Sequence, residues 1–217
     1  MPRLRQETLD AIQRRIESAA LAHFIKAGYT ATTTREIAQS VGLTPGALYS
    51  HYESKEALFA AVVLRYQREL VGNHADNALT RVLKSSQFPH DIPELAAAIR
   101  ELVSNNKPYW LLWYIDIVEF EGKHFRTQVA PKALLGAPEL KQRFEELRAT
   151  GALRMEPELA FVMVYMHLFN YFCVEQLFGG SDHYGVPEDK AVTTVTDAFL
   201  HGILAAPARA VADESAS

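Results

Sequence analysis

Cysteine is nearly missing from this chain: Cys173 stands alone among 217 residues. A lone thiol excludes an internal disulfide and fits a reducing compartment, where it reads as a small buried apolar residue. Long apolar runs are missing too. The most span-like stretch, Glu158 to Phe178, is interrupted by His167, Asn170, Glu175 and Gln176, leaving Leu159 to Met166 as its longest unbroken run. That falls far short of the ~20 residues a membrane crossing needs, so no membrane partner is expected. The opening MPRLRQETLD carries charge but no apolar core, which argues against a secretory signal and for a cytoplasmic location. Strand-length alternation, internal repeats, a phosphate-cradling glycine loop, a nucleophile elbow and a catalytic triad are all absent. The eight histidines lack the spacings that zinc favours. Asp116, Glu119, Glu121 and His124 lie close together but read as a solvated helix end. The expectation is therefore no enzyme, no catalytic residue, no metal and no cofactor; a small helical enzyme or ligand-transport protein is the competing class.

What is present is core and asymmetric charge. Apolar residues make up 48% of the chain, enough to bury a sizeable interior. The net charge of −4 divides unevenly: residues 1–68 carry nine Lys or Arg against six Asp or Glu, and the remainder thirteen against twenty, which is +3 beside −7. A small basic unit joined to a larger acidic one suits local phosphate binding with little adhesion elsewhere.

The stretch that organises the rest is Thr33 to Tyr52, TTREIAQSVGLTPGALYSHY. Thr33 and Glu36 have the spacing of a capping box, which opens a helix carrying Ile37, Ala38 and Val41 on one face. Gly42 marks the turn, and Leu43 plugs its corner. Thr44 and Pro45 then supply an N-cap and a first-turn proline for a second helix, predicted over Pro45 to Tyr52, with Leu48 and Tyr52 turned inward. Small, hydroxylated and aromatic residues are left outside, and no acid intervenes before Glu53. Two short helices with a tight turn form a unit sized for the major groove, where the second helix enters N-terminus first.

The words around this unit strengthen it. Phe24, Gly28-Tyr29, Thr32-Thr33-Thr34, Ile37-Ala38, Val41-Gly42, Gly46, Leu48-Tyr49, His51-Tyr52, Lys55 and Leu58-Phe59 fall in one register between about Ile12 and Val63. In that register the chain resembles the N-terminal domain of the TetR family of transcriptional regulators. The resemblance implies an all-α protein, with an N-terminal three-helix helix-turn-helix DNA-binding domain and a C-terminal helical ligand-binding and dimerisation domain. We place a basic arm at residues 1–8, the DNA-binding domain at 9–66, the ligand-binding and dimerisation domain at 67–206 and a small polar tail at 207–217.

Candidate DNA contacts follow from position and resemblance together. Thr33, Thr34 and Arg35 sit at the start of the first helix of the unit; Thr34 and Thr44 are placed to bond phosphates. Pro45, Gly46, Ala47 and Ser50 are the expected base-edge neighbours, though proline and alanine offer little to hydrogen-bond, so shape carries part of the specificity. Tyr49 and His51 match family positions that contact the backbone. Lys55 opens the next helix against the dipole preference, and its family position touches phosphate.

Beyond Val63 the resemblance is architectural. Leu9, Ile12, Ile16, Ala20, Phe24 and Ala27 give the first helix its stripe, and Leu58, Phe59 and Val62 of the fourth should pack against it. HADNALTRVLKSS is read as continuing that fourth helix. Later come ELAAAIRELVSN, an aromatic KPYWLLWYIDIVEF, an amphipathic ELKQRFEELRAT, and two long segments, Glu158 to Phe178 and Glu188 to Ala206. In the family, the last two long helices pair with their two-fold mates, and a small molecule is enclosed by this domain. The resemblance thus implies a homodimer on a palindromic double-stranded operator, most simply a repressor released by a small apolar or aromatic effector; activation or ligand-dependent corepression is compatible. Trp110, Trp113, Tyr114, Phe120, Tyr165 and Phe169 are candidate walls of the effector site, with His167 and Asn170 as polar handles.

Overall fold

The computed structural model describes residues 2–72, 77–126, 135, 137–178 and 183–204. Among these residues the chain forms ten helices: α1 (Pro2–Ala27), α2 (Thr34–Ser40), α3 (Pro45–Tyr49), α4 (Lys55–Gly72), α5 (Ala78–Lys84), α6 (Ile92–Asn105), α7 (Lys107–Phe120), α8 (Pro138–Thr150), α9 (Pro157–Leu177) and α10 (Glu188–Ile203). The extended pairing found among them is one isolated antiparallel bridge between Leu153 and Leu204. The all-α expectation is met.

The N-terminal helices close around a small dry core. Ile16, Ala20 and Phe24 of α1, Ile37 and Ala38 of α2, Leu48 of α3, and Leu58, Phe59 and Val62 of α4 are buried together. Burying one such side chain contributes roughly 1.5–3 kcal/mol, so this shared core holds α2 and α3 against α1 and α4. Two polar ties reinforce it. The Tyr52 hydroxyl donates to Glu17 Oε1 at 2.7 Å, and Arg65 of α4 donates to Glu17 Oε2 at 3.2 Å and to the Arg14 carbonyl at 3.0 Å.

Several boundaries differ from the sequence expectation. The first helix begins at Pro2, where a basic arm was expected over residues 1–8: proline is tolerated in a first turn, and no helix breaker follows it before Gly28. The second helix of the unit stops at Tyr49, with Ser50 as its C-cap, rather than at Tyr52. The fourth helix does not carry on through HADNALTRVLKSS. Instead Asn77 starts a separate α5, its side chain accepting from Thr80 N at 2.7 Å. The tail at 207–217 lies outside the described residues.

In the C-terminal half, α6 and α9 are the central pair, with α5 and α8 on one side and α10 on the other. Helix α9 is long and apolar enough to cross a membrane by length and composition. Its Ala160, Phe161, Val164, Leu168, Phe169, Phe172 and Cys173 are nevertheless buried, as in a core helix packed against neighbours. Helix α7 reaches from this half to the N-terminal one, packing against both α1 and α4.

Candidate nucleic-acid interface

The helix-turn-helix unit is built as its residues dictate. At the start of α2, Glu36 N donates to Thr33 Oγ1 at 3.2 Å while Glu36 Oε2 accepts from Thr33 N at 2.9 Å, so the capping box is complete. The Thr33 hydroxyl also donates to Glu36 Oε2, which with the backbone bond holds that carboxyl below its ordinary value. At the other end Leu43 N reaches the Ala38 carbonyl at 2.9 Å and Gly42 N reaches the Gln39 carbonyl at 3.1 Å. This is a Schellman turn, and Gly42 supplies the φ of +71° it requires. Thr44 then caps α3 by accepting from Ala47 N at 3.2 Å, with Pro45 at the first helical position.

These helices leave one face outward. Thr33, Arg35, Thr44, Pro45, Gly46, Tyr49 and Ser50 are exposed, and Thr34, Ala47, His51 and Lys55 partly so. Tyr49 is 49% exposed, and its hydroxyl meets Thr34 Oγ1 at 3.1 Å, linking the starting turn of α2 to the end of α3. Leu48 and Tyr52 face the core, as expected. The Thr33, Thr44 and Ser50 hydroxyls all have local partners, Ser50 donating to the Ala47 carbonyl at 2.7 Å.

Lys55 is engaged differently from the expected phosphate contact. Its ammonium donates to the carbonyls of Tyr29 and Thr32, each at 2.9 Å, with the Thr30 carbonyl at 3.4 Å. It also lies 4.2 Å from the centre of the Tyr29 ring. All three of its donor directions are thereby taken up by the α1–α2 corner.

On the opposite side of that corner stands Glu119, from the last turn of α7. Its carboxylate accepts from Tyr29 N and Thr30 N, both at 2.8 Å, and from the Thr30 hydroxyl. Burial pushes this carboxyl up, but the three donors outweigh it and hold the group below its ordinary value. Next to it Phe120 packs on Tyr29, 4.5 Å between ring centres, and on Phe59 at 5.0 Å. Asp116 is fully buried and accepts from His124 N and Phe125 N, both at 3.1 Å, and pairs with His124 Nδ1 at 2.6 Å. The solvated-end reading holds only for exposed Glu121: Asp116 caps the loop that follows α7, and Glu119 crosses to the N-terminal helices. Sequence reasoning missed both because each bond is long-range or spans an irregular turn.

The proposed effector residues divide. Trp110, Trp113, Tyr165 and Phe169 form one cluster, with Trp110–Phe169 at 4.9 Å, Trp113–Phe169 at 6.0 Å and Tyr165–Phe169 stacked at 6.1 Å. Tyr114 joins it through Trp113 at 5.2 Å. Three others fall elsewhere. Phe120 sits in the junction with the N-terminal helices. His167 and Asn170 are on the exposed face of α9: the His167 ring lies 5.5 Å from Phe199, and the Asn170 amide donates to Met166 O of its own helix. Helical periodicity places them away from Phe169, so they are not handles for a group held by that cluster. A buried polar side chain that the sequence did not single out is Gln67, on α4. It is 7% exposed, and its amide makes no hydrogen bond of ordinary geometry, although it lies close enough to the Tyr109 phenol to pull that group's pKa back against the rise that burial causes.

An exposed second helix, led by a capped threonine and backed by a rigid three-helix core, defines a helix-turn-helix DNA-binding protein. Residues 16–62 match the model of bacterial regulatory proteins of the tetR family. Over 62 residues the chain is 36% identical to an HTH-type transcriptional repressor of Mycobacterium tuberculosis, Rv1474c, a match spanning 29% of this chain and 33% of that protein. It is 22% identical over 195 residues to the uncharacterized HTH-type regulator YvkB of Bacillus subtilis, spanning 88% of this chain and 97% of the relative. Among solved structures, a putative TetR-family regulator from Mesorhizobium loti superimposes with a TM-score of 0.60 at 22% identity, over 91% of this chain and 98% of that one. Residues 16–62 thus form a DNA-binding domain of the tetR-family type, and the fold of the chain as a whole is the one seen in TetR-family structures.

Proposed function

We propose that this regulator is a homodimeric repressor, released from a palindromic operator by a small effector held among the C-terminal helices. The observation that carries the reading is the outward face of α3, where exposed Tyr49 is tied to Thr34 and no acidic side chain intervenes before Glu53. Thr34 and Thr44 bond phosphates, Tyr49 and His51 contact the backbone, and Pro45, Gly46, Ala47 and Ser50 lie along base edges. Thr33 and Arg35 flank the same strand. The repressor name of the mycobacterial relative, 36% identical over 62 residues, supports the direction of control.

The effector is aromatic or apolar, with rings packing against Trp110, Trp113, Tyr165 and Phe169, and a polar group for Gln67 extends that chemistry. Two copies pair through α9 and α10. Leu159 is 54% exposed and Met163 lies one turn along the same face, which also carries His167 and Asn170. An exposed apolar stripe on a helix so long is expected at an interface. The effector shifts α7 and α4, moves the two α3 helices out of register, and lowers DNA affinity; a coupling of 1–3 kcal/mol changes occupancy roughly 5–150-fold.

Fluorescence anisotropy with DNA from upstream of the gene tests the reading. Affinity should fall steeply and log-linearly with salt. Tyr49→Ala should weaken every DNA sequence alike, since a backbone contact carries no sequence information. A loss confined to one base position, or binding indifferent to salt, would contradict these roles.

A further inference from the structure

The corner between α1 and α2 is gripped by opposite charges. Its N–H side faces the Glu119 carboxylate, which takes the amides of Tyr29 and Thr30 and the Thr30 hydroxyl. Its C=O side faces the Lys55 ammonium, which takes the carbonyls of Tyr29 and Thr32. Gly28 makes room for the first contact: a Cβ there would stand 3.2 Å from Glu119 Oε1, on a backbone already at φ +81°. The Thr32 hydroxyl closes the corner by donating to the Gly28 carbonyl at 2.8 Å. Thr33 and Thr34 follow directly, and Thr34 meets Tyr49 of the reading helix.

We propose that Glu119 is a positioning residue for DNA recognition, a direct polar hold of the C-terminal helices on the helix-turn-helix, through which a shift of α7 reaches Thr34 and Tyr49 without passing along α4. Its functional consequence rests on the regulator reading; its geometry does not. Helix α7 carries Trp110, Trp113 and Tyr114 upstream of Glu119, so the helix that lines the aromatic cluster is also the one that ends on the corner. The rings of Phe120, Tyr29 and Phe59 fix that end sterically, while the carboxylate fixes the direction of two peptide planes. Charge-assisted bonds of this kind are about twice as strong as neutral ones. The Thr30 amide lies at the surface, so water replaces the carboxylate when it leaves. Withdrawal of Glu119 therefore loosens the corner without unfolding the domain.

Hydrogen exchange of the full chain, read over residues 29–34, tests this alongside DNA anisotropy and melting temperature. The variants are Glu119→Gln, Thr30→Val and Thr30→Ser, with Arg148→Gln as a control that breaks an ion pair between α8 and the start of α9. Glu119→Gln should speed exchange on the order of ten-fold or more at the corner. It should also weaken DNA binding several-fold while the chain stays folded, with a melting-temperature loss of no more than a few degrees. Thr30→Val should do the same to a smaller degree, Thr30→Ser should behave as wild type, and Arg148→Gln should leave corner and DNA affinity alone. Unchanged exchange in Glu119→Gln overturns the clamp, and faster exchange with full DNA affinity overturns its positioning role. Failure of the unsubstituted chain to bind upstream DNA overturns the regulator reading itself, and is recognisable because no variant is needed to see it.

Discussion

Two buried polar side chains of the C-terminal half behave in opposite ways. The Cys173 thiol is buried, which pushes its pKa up to about 12 although a hydrogen bond with Tyr114 pulls it back. Only the thiolate reacts, so the native chain should resist a thiol reagent at pH 7–8. One equivalent should react once denaturant is added; prompt labelling of the folded chain would mean that α9 opens there. Gln67 has less relief, since both atoms of its amide are buried without a hydrogen bond of ordinary geometry and only the Tyr109 phenol is close by. An unpaired buried polar group costs roughly 1–3 kcal/mol, and methionine has nearly the same shape without the amide. Gln67→Met should therefore raise the denaturant midpoint at unchanged m-value. A lower midpoint would show that an ordered water already pairs the amide. A residue that lowers stability where it sits is expected at a binding site, and this is the physical reason to place the effector's polar group beside it.

At the scale of elements, α2 and the end of α7 depend on carboxylates whose pH behaviour can be worked out. Glu36 and Glu119 both lie below the ordinary glutamate value of 4.5 in the folded chain. A depressed folded-state value means that their stabilisation is complete above 4.5 and is lost as pH falls through the lower folded value. The difference in melting temperature between wild type and Glu36→Gln should thus be flat from pH 7 to about 5 and shrink in more acidic buffer. A difference that grows toward acid would reverse the assignment. These two glutamates also mark how far the sequence was legible. The capping box, the Gly42 turn and the Thr44-Pro45 start are local, and each was read from residues within a few positions of one another. Glu119 was misread as solvated because its partners, Tyr29 and Thr30, lie some ninety residues away. Lys55 was read from its dipole penalty, which is genuine, but that penalty is answered by carbonyls of the corner within the fold. His167 and Asn170 were grouped with Phe169 by nearness in sequence, whereas helical phase separates them. Local chemistry survives in one dimension; contacts that depend on how helices cross do not.

For the whole molecule, reading two half-sites requires two copies held at a fixed separation, and symmetric pairing asks for a self-complementary patch. Helix α9 offers one. Its inward face is buried in the C-terminal core, yet Leu159 and Met163 are exposed one turn apart, and Thr193, Thr194, Asp197 and Ala198 of neighbouring α10 are exposed as well. On the proposed pairing, a second copy of the same face would match it in both apolar and polar content. A charge placed at its centre should separate the copies without disturbing the core behind it. Met163→Glu should therefore convert a dimer into a monomer by light scattering at micromolar concentration, with helical circular dichroism retained. Its DNA affinity should fall far more than its stability, because a single half-site retains only part of the contacts. If the unsubstituted chain were a monomer under those conditions, or if Met163→Glu remained dimeric, the pairing would have to use another face, and the spacing of the two α3 helices would no longer be set by α9 and α10.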